Sequence, residues 1–261
     1  MLLDQGEETP SLLKYGGQLA RWLGADVWLQ HVYYLPPDME GELFIPTESL
    51  RTHEQQLRQQ LTGWQKEVAT QSGRKVQYNV CFGELATEVN KLVEREHIDL
   101  IVMGNRGKSF SDKVLGSSTL KVIRQAVCPV LSVPMALAFR PFQRIALATD
   151  WKNTSATTTT WLVNFARQCQ AHLDIIHFRR HKEATGGQLS LERALSLVPH
   201  TFYSPRAHHI EKGIQRHVTQ HHNDLIVLIP HAHSFFARLF RKSITRQMVY
   251  HTNMPLLTLP G

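Results

Sequence analysis

Asp99-Leu100-Ile101-Val102-Met103 runs without a break into Gly104-Asn105-Arg106-Gly107-Lys108-Ser109-Phe110-Ser111-Asp112-Lys113-Val114-Leu115-Gly116-Ser117-Ser118. The first five residues are a short apolar run of the kind that forms a strand buried on both faces of a parallel sheet. In an open α/β sheet, ligands bind just beyond the carboxyl end of such a strand. Gly104 and Gly107 let backbone N–H groups approach an anion there, and Gly116-Ser117-Ser118 puts free amides and hydroxyls at the positive end of the next helix. Arg106 and Lys108 add charge from the loop. Two glycines after a strand equally make a tight turn, and Gly116-Ser117 alone equally makes a helix cap. Taken together they read as a phosphate cradle. The spacing is not that of a Walker A loop, and the glycines follow the fourth strand, not the first as in a dinucleotide fingerprint.

The deciding strand occurs twice. Asp99–Met103 returns as Asp224-Leu225-Ile226-Val227-Leu228, a shift of 125, and Cys128-Pro129-Val130-Leu131-Ser132-Val133-Pro134 returns as Met254-Pro255-Leu256-Leu257-Thr258-Leu259-Pro260, a shift of 126. Upstream, Leu29-Gln30-His31-Val32 matches Ile175-Ile176-His177-Phe178 and Asp4 matches Asp150, both at a shift of 146. A repeat of this kind sets the whole architecture. The first copy carries 21 extra residues (146 − 125) between its second and fourth strands.

Each copy alternates strands with helices. In the first, the pattern predicts strands at 1–3, 26–32, 75–81, 98–103 and 129–133, with helices at 9–22, 48–71, 84–96 and 116–126. In the second it predicts strands at 144–149, 173–178, 200–204, 224–229 and 255–259, with helices at 155–169, near 189–197, at 207–221 and at 240–251. Five strands interleaved with helices imply a parallel sheet covered on both faces and joined by right-handed crossovers. The expected domains are 1–138, with the glycine loop, and 139–261, with a linker near Met135–Phe142.

Composition narrows the function classes. A chain of 261 residues suits two domains, and 42% hydrophobic with 20% charged residues is that of a globular protein with no run near the ~18 apolar residues of a membrane span. Asp4, Glu7 and Glu8 give the amino end the wrong charge for a targeting peptide, so a cytoplasmic protein with no membrane partner is expected. Cys81, Cys128 and Cys169 are three, far apart and outside any CxxC spacing, which suggests neither disulfides nor zinc. Residues 139–261 carry 15 Lys/Arg against 6 Asp/Glu, so the net +7 hides +9 in that half and −2 in the other. The basic residues are scattered, which reads as a solvated face and not as a nucleic-acid stripe.

These motifs resemble the universal stress protein family, whose signature is a Gly-x2-Gly-x9-Gly-Ser/Thr loop after the fourth strand. An aspartate ending the first strand, a His-Val pair ending the second and a Pro-Val-Leu-Val-like closing strand complete it. The first half shows all four, as Gly104 through Ser117, Asp4, His31-Val32 and Pro129 through Val133, and the second shows three recognisably. Eight residues, Lys108 through Leu115, separate Gly107 from Gly116, one fewer than the pattern.

The resemblance implies an α/β fold of two tandem doubly wound domains. Each would be a five-stranded parallel sheet of order 3-2-1-4-5 with helices on both faces, the two forming a pseudo-two-fold intrachain dimer through their closing strands. It implies a stress-response protein that binds ATP, or AMP or ADP, in the first domain, with Mg as an accompanying ion left open. Asp4, Val32 and Met103 would line the adenine and ribose pocket, with backbone at Leu2 close by. Gly104, Gly107, Gly116, Ser117 and Ser118 would hold the phosphates. Asp4 also has a plainer reading, as a cap for the helix near Thr9. Protein partners and a further homodimer stay open, and a nucleotide-free scaffold of the same fold is the alternative function.

In the second copy the loop reads Ile229-Pro230-His231-Ala232-His233 through Arg241-Lys242-Ser243, with every glycine replaced and one donor removed by Pro230, so that site is expected to be degenerate. Twelve of the fifteen histidines lie in residues 139–261. His217 and His221 share a helix face, but no third ligand has a convincing spacing, and they are expected to be solvated and not metal-bound. His31 and His177 recur at strand ends, which speaks for a shared structural place. No nucleophile elbow and no positioned carboxylate pair is present, so no catalytic residue is assigned and any ATP hydrolysis should be slow.

Overall fold

The computed structural model describes residues 1–6, 9–33, 47–105, 117–134, 137–149, 155–178, 195–205, 210–229 and 254–260. Its strands are β1 (Leu2–Leu3), β2 (Val27–Tyr33), β3 (Val76–Phe82), β4 (Ile101–Gly104), β5 (Val130–Val133), β6 (Arg144–Ala148), β7 (His172–Ile176), β8 (His200–Tyr203), β9 (Leu225–Leu228) and β10 (Leu256–Thr258). Its helices are α1 (Thr9–Leu23), α2 (Thr47–Ser72), α3 (Leu85–Glu96), α4 (Ser117–Gln125), α5 (Ala156–Gln168) and α6 (Ile210–Gln220). The predicted helix 240–251 and most of the one near 189–197 lie outside the described residues.

All ten strands form one sheet in the order β3-β2-β1-β4-β5-β10-β9-β6-β7-β8. Within 1–134 that order is 3-2-1-4-5, and every neighbouring pair is parallel. The same order recurs, mirrored, among β6 to β10, again parallel throughout. Among the described residues the single antiparallel ladder is β5 against β10, where Leu131 faces Leu257, both wholly buried. That pair turns two sheet edges into interior, which removes the exposed ladders on which unrelated chains would pair.

Helix boundaries follow local chemistry. Pro10 suits the first turn of α1, where its missing N–H is not needed. Glu84 caps α3 by accepting from the Ala86 and Thr87 amides at 3.3 and 2.8 Å. At its other end His97 turns left-handed at φ 51°, and the Ile98 amide bonds back to the Val93 carbonyl. That return explains why β4 starts at Ile101 and not at residue 98 as the apolar run suggested. β1 and β4 lie side by side while their following helices cover opposite faces, so the switch point of the first half falls between them.

Candidate functional site

The candidate site is the crevice at the carboxyl ends of β1 and β4. Leu2 of β1 is in register with Met103 of β4, and Leu3 with His31 of β2, so Asp4, Val32 and Gly104 emerge at one edge. Helices α1, α3 and α4 all begin at this edge and turn their positive ends toward it.

Asp4 is exposed, and its Oδ1 accepts from the Gly6 amide at 3.1 Å and from the Thr9 hydroxyl at 3.0 Å. The Thr9 hydroxyl also lies 2.8 Å from the Asp4 carbonyl. The carboxylate therefore closes a small turn ahead of α1. It does so through Gly6 and a side chain, and its described bonds do not reach the first-turn amides of α1, as a helix cap would.

Val32 and Met103 are both buried and pack in one apolar cluster with Leu2, Leu85 and Val89 under α3 and α4. Their side chains serve the core, so what they offer at the edge is main chain. Gly104 is half-buried, its carbonyl accepts from Thr119 Oγ1 at 3.2 Å, and a Cβ built on it would meet nothing within 4 Å. Among the described residues nothing fills the space beside it. The next residue, Asn105, continues the ladder through its amide to the Val133 carbonyl at 3.0 Å. α4 begins at Ser117, one residue after the predicted start at 116, with Ser118 in its first turn. Gly107, Gly116 and the rest of 106–116 lie outside the described residues, as do the side chains of Ser117 and Ser118.

Several neighbours carried no signal in the sequence. Lys121 of α4 bridges to Glu84 at 2.5 Å, and together with the Thr87 contacts it lowers that carboxyl to about 2. Tyr33 meets His53 and Phe82 edge-on, each at 5.7 Å between ring centres, and Phe82 is largely exposed. The pairing of a strand end with a helix 20 residues away depends on where the chain folds back. Alternation of polar and apolar residues cannot report it.

The histidine expectation needs correction in the second half. His217 is buried and not solvated: its Nε2 lies 3.4 Å from Asp174 Oδ2, and its ring stacks on His221 at 4.1 Å and against Tyr203 at 4.5 Å. Asp174 is fully buried, receives Arg144 through a two-pronged contact of 2.8 and 3.0 Å, and accepts from Asn223 Nδ2 at 2.8 Å. Burial pushes the Asp174 carboxyl up, but the hydrogen bonds from Arg144, Asn223 and His217 outweigh it and leave it below its ordinary value. The missing third ligand is thus Asp174, 43 residues from His217, and donor atoms of Asp174, His217 and His221 all lie within 4.8 Å. The Arg144 guanidinium already supplies the compensating positive charge, so this is a buried ion-pair network.

The cysteines are unpaired, and burial pushes the thiols of Cys128 and Cys169 up to about 12, which makes them inert packing groups. Among the described residues no helix is long and apolar enough to cross a membrane.

Comparison with known proteins agrees with this geometry. Residues 2–134 match the universal stress protein family. A universal stress protein of Methanocaldococcus jannaschii is 30% identical over 125 residues, 46% of this chain and 71% of that protein. Universal stress protein G of Shigella flexneri is 42% identical over 59 residues, 23% of this chain and 42% of that protein. In overall shape, the crystal structure of a universal stress protein from Archaeoglobus fulgidus superposes with a TM-score of 0.74 at 15% identity, covering 99% of this chain and 94% of that one. A family match over half the chain and a relative 30% identical over most of its own length lead to one conclusion: the chain belongs to the universal stress protein family.

Proposed function

We propose that the protein is a cytoplasmic stress-response protein that binds ATP, or AMP or ADP, in residues 1–138, with residues 139–261 a degenerate second copy serving as scaffold. In this reading the two halves are tandem domains related by a pseudo-two-fold axis through the β5–β10 ladder. The observation that carries it is Gly104: at the end of β4, beside the β1/β4 switch point, it leaves open the space that a side chain would take. Asp4 stands at the neighbouring strand end, placed to accept from ribose hydroxyls. The α4 amino terminus, with Gly107, Gly116, Ser117 and Ser118 leading into it, supplies amides for phosphate.

Turnover is not expected to be fast. Phosphoryl transfer relies on a carboxylate-held metal, and at this edge the Glu84 carboxylate is already engaged by Lys121 and by the Ala86 and Thr87 amides.

Isothermal titration with ATP and with AMP tests the reading on the native protein and on Gly104→Val. A Cβ there meets no described atom within 4 Å, and the variant is expected to fold and to lose at least tenfold in nucleotide affinity. The competing reading, a nucleotide-free scaffold, draws on the loop that is one residue short between Gly107 and Gly116. No saturable heat from either nucleotide with the native chain would establish it.

A further inference from the structure

Polar side chains converge under α6 in the second half, at the amino edge of the sheet. Arg144 and His172 begin β6 and β7, and Asp174 follows within β7. His217 lies on the buried face of α6, and His221 and Asn223 stand in the turn after it.

This is more than an ion pair needs. Arg144 alone neutralises Asp174, with one prong on each carboxylate oxygen. α6 nevertheless brings two imidazoles to the same carboxylate, and β7 adds a third, with His172 Nε2 at 3.8 Å from Asp174 Oδ1. Apolar side chains of similar volume would pack there without the desolvation cost, and a buried ionisable cluster that stability does not require points to a bound partner.

Asp174, His217 and His221 have the donor set and the spacing for a metal ion. One ligand atom from each lies within 4.8 Å of the other two. His217 Nε2 and Asp174 Oδ2 are 3.4 Å apart, and two ligand atoms about 2.0–2.1 Å from a tetrahedral zinc stand roughly 3.3 Å from each other. The stacked rings of His217 and His221 hold the second imidazole beside the first, 4.1 Å away and tilted by 25°. His221 is half-buried just beyond the helix end, and among the described residues its ring contacts are to His217 and Tyr203, so it can draw in.

Asn223 supplies an independent observation. It is buried, its Nδ2 donates to Asp174 Oδ2 at 2.8 Å, and among the described residues its Oδ1 has no partner. Turning the amide over would set its oxygen against the carboxylate, so the orphan is the oxygen. A buried acceptor without a donor is costly, and a metal-bound water is a donor of the kind it lacks. Arg144 stands in the way of an ion, but its side chain is about one-third exposed while Asp174 has no exposure, so the guanidinium can leave to solvent.

We propose that Asp174, His217 and His221 bind a divalent transition-metal ion, Zn²⁺ by the donor set, in exchange for the Arg144 guanidinium. Two imidazoles and a carboxylate suit zinc, and without a thiolate they do not suit copper(I). Three protein ligands leave a fourth position for water. The ion takes the place of the proton on His217 Nε2, which passes to Nδ1, so the imidazole stays neutral.

The test titrates the full chain with Co²⁺ at about pH 7.5, where imidazoles are free to ligate, follows its visible absorption, and then adds Zn²⁺. A saturable spectrum at one ion per chain, abolished by Zn²⁺, is expected. His221→Gln weakens Co²⁺ roughly tenfold or more. Arg144→Met removes the competing cation, tightens Co²⁺ roughly tenfold, and gains more in Tm from Zn²⁺ than the native chain does. No saturable spectrum with the native chain overturns the proposal. Equal affinity in His221→Gln also overturns it, since the ion would then sit on other histidines. Unchanged or weaker binding in Arg144→Met overturns the exchange, and should that variant not fold, the native chain and His221→Gln decide the site between them.

Discussion

His31 Nδ1 donates to the carbonyl of Leu3 at 3.0 Å, tying the end of β2 to the end of β1. In the other half His177 does the same to Thr149 at 3.2 Å, and both partners are displaced by the same 146 residues. The bond fixes the tautomer, and it occupies the nitrogen that faces the neighbouring strand. A histidine at this place is therefore a strand clamp directly beneath Asp4, in the copy that keeps its glycines as well as in the copy that has lost them.

Burial of His31, and of His217 in the other half, makes stability depend on pH. Burial lowers the pKa of His31 below 6.5, against the opposing pull of Leu3 and Asp4, and burial followed by the neighbouring His221 lowers that of His217. In both cases the unfolded chain takes up the proton more readily than the native one. The stabilisation is present in full above pH 6.5 and is lost as pH falls from there toward the native pKa values. Calorimetry should record a falling Tm from pH 7.5 to 5.5, and the double variant His31→Gln, His217→Gln should flatten that slope. A slope unchanged by the pair of substitutions would show that other groups titrate, and proton NMR of the two imidazoles reads the pKa values directly.

The legible part of this fold is the part written in short-range pattern. Runs such as Ile101–Met103 and Leu225–Leu228 are apolar because both faces of the strand are covered, and their duplication exposes the sheet order through the family signature. Asp4 and Gly104 were legible because each stands at a strand end whose position is fixed by those runs. The Asp174 network was not: Asp174 sits in an apolar strand, and its partners Arg144 of β6, His217 of α6 and Asn223 of the turn after α6 lie 30, 43 and 49 residues away. Only the crossing of β6, β7 and α6 brings them together. The buried state of His217 was missed for the same reason, since its helical spacing to His221 describes a face without saying what covers it.

Two glycines in helices separate backbone entropy from packing. Gly63 is exposed inside α2, its φ is that of an ordinary residue, and a Cβ there would meet nothing within 4 Å. Gly63→Ala should stabilise the protein by about 0.5–1 kcal/mol, because alanine has less freedom to lose on folding. Gly16 is buried in α1, where a Cβ would fall 1.8 Å from the Met1 sulfur. Gly16→Ala must displace that thioether, and overpacking of roughly 1–3 kcal/mol exceeds the helix-propensity gain of about 1 kcal/mol. Urea denaturation of the two variants should move the midpoints in opposite directions, and a stabilising Gly16→Ala would mean that Met1 swings aside freely.

The Arg144–Asp174 pair gives the sharpest energetic contrast. Asp174 has no exposure, while Arg144 is about one-third exposed and keeps part of its hydration. Removing the cation alone leaves a buried carboxylate with Asn223, His217 and, at 3.8 Å, His172 as its neighbours, and breaking a buried pair in this way costs about 3 kcal/mol, the lower end of the usual range because Arg144 reaches solvent. Arg144→Met should therefore lower stability by that amount near pH 7. The loss should shrink as pH falls through the raised Asp174 pKa of the variant, because the orphaned carboxyl can then fold neutral. Arg144→Met combined with Asp174→Leu removes both the charge and its demand, and should recover most of the loss even though the bonds to Asn223, His217 and Tyr203 are deleted with the pair. If the double variant is as unstable as the two single variants added together, the network contributes through its individual hydrogen bonds, and pairing of the two charges is not what holds β6 against β7.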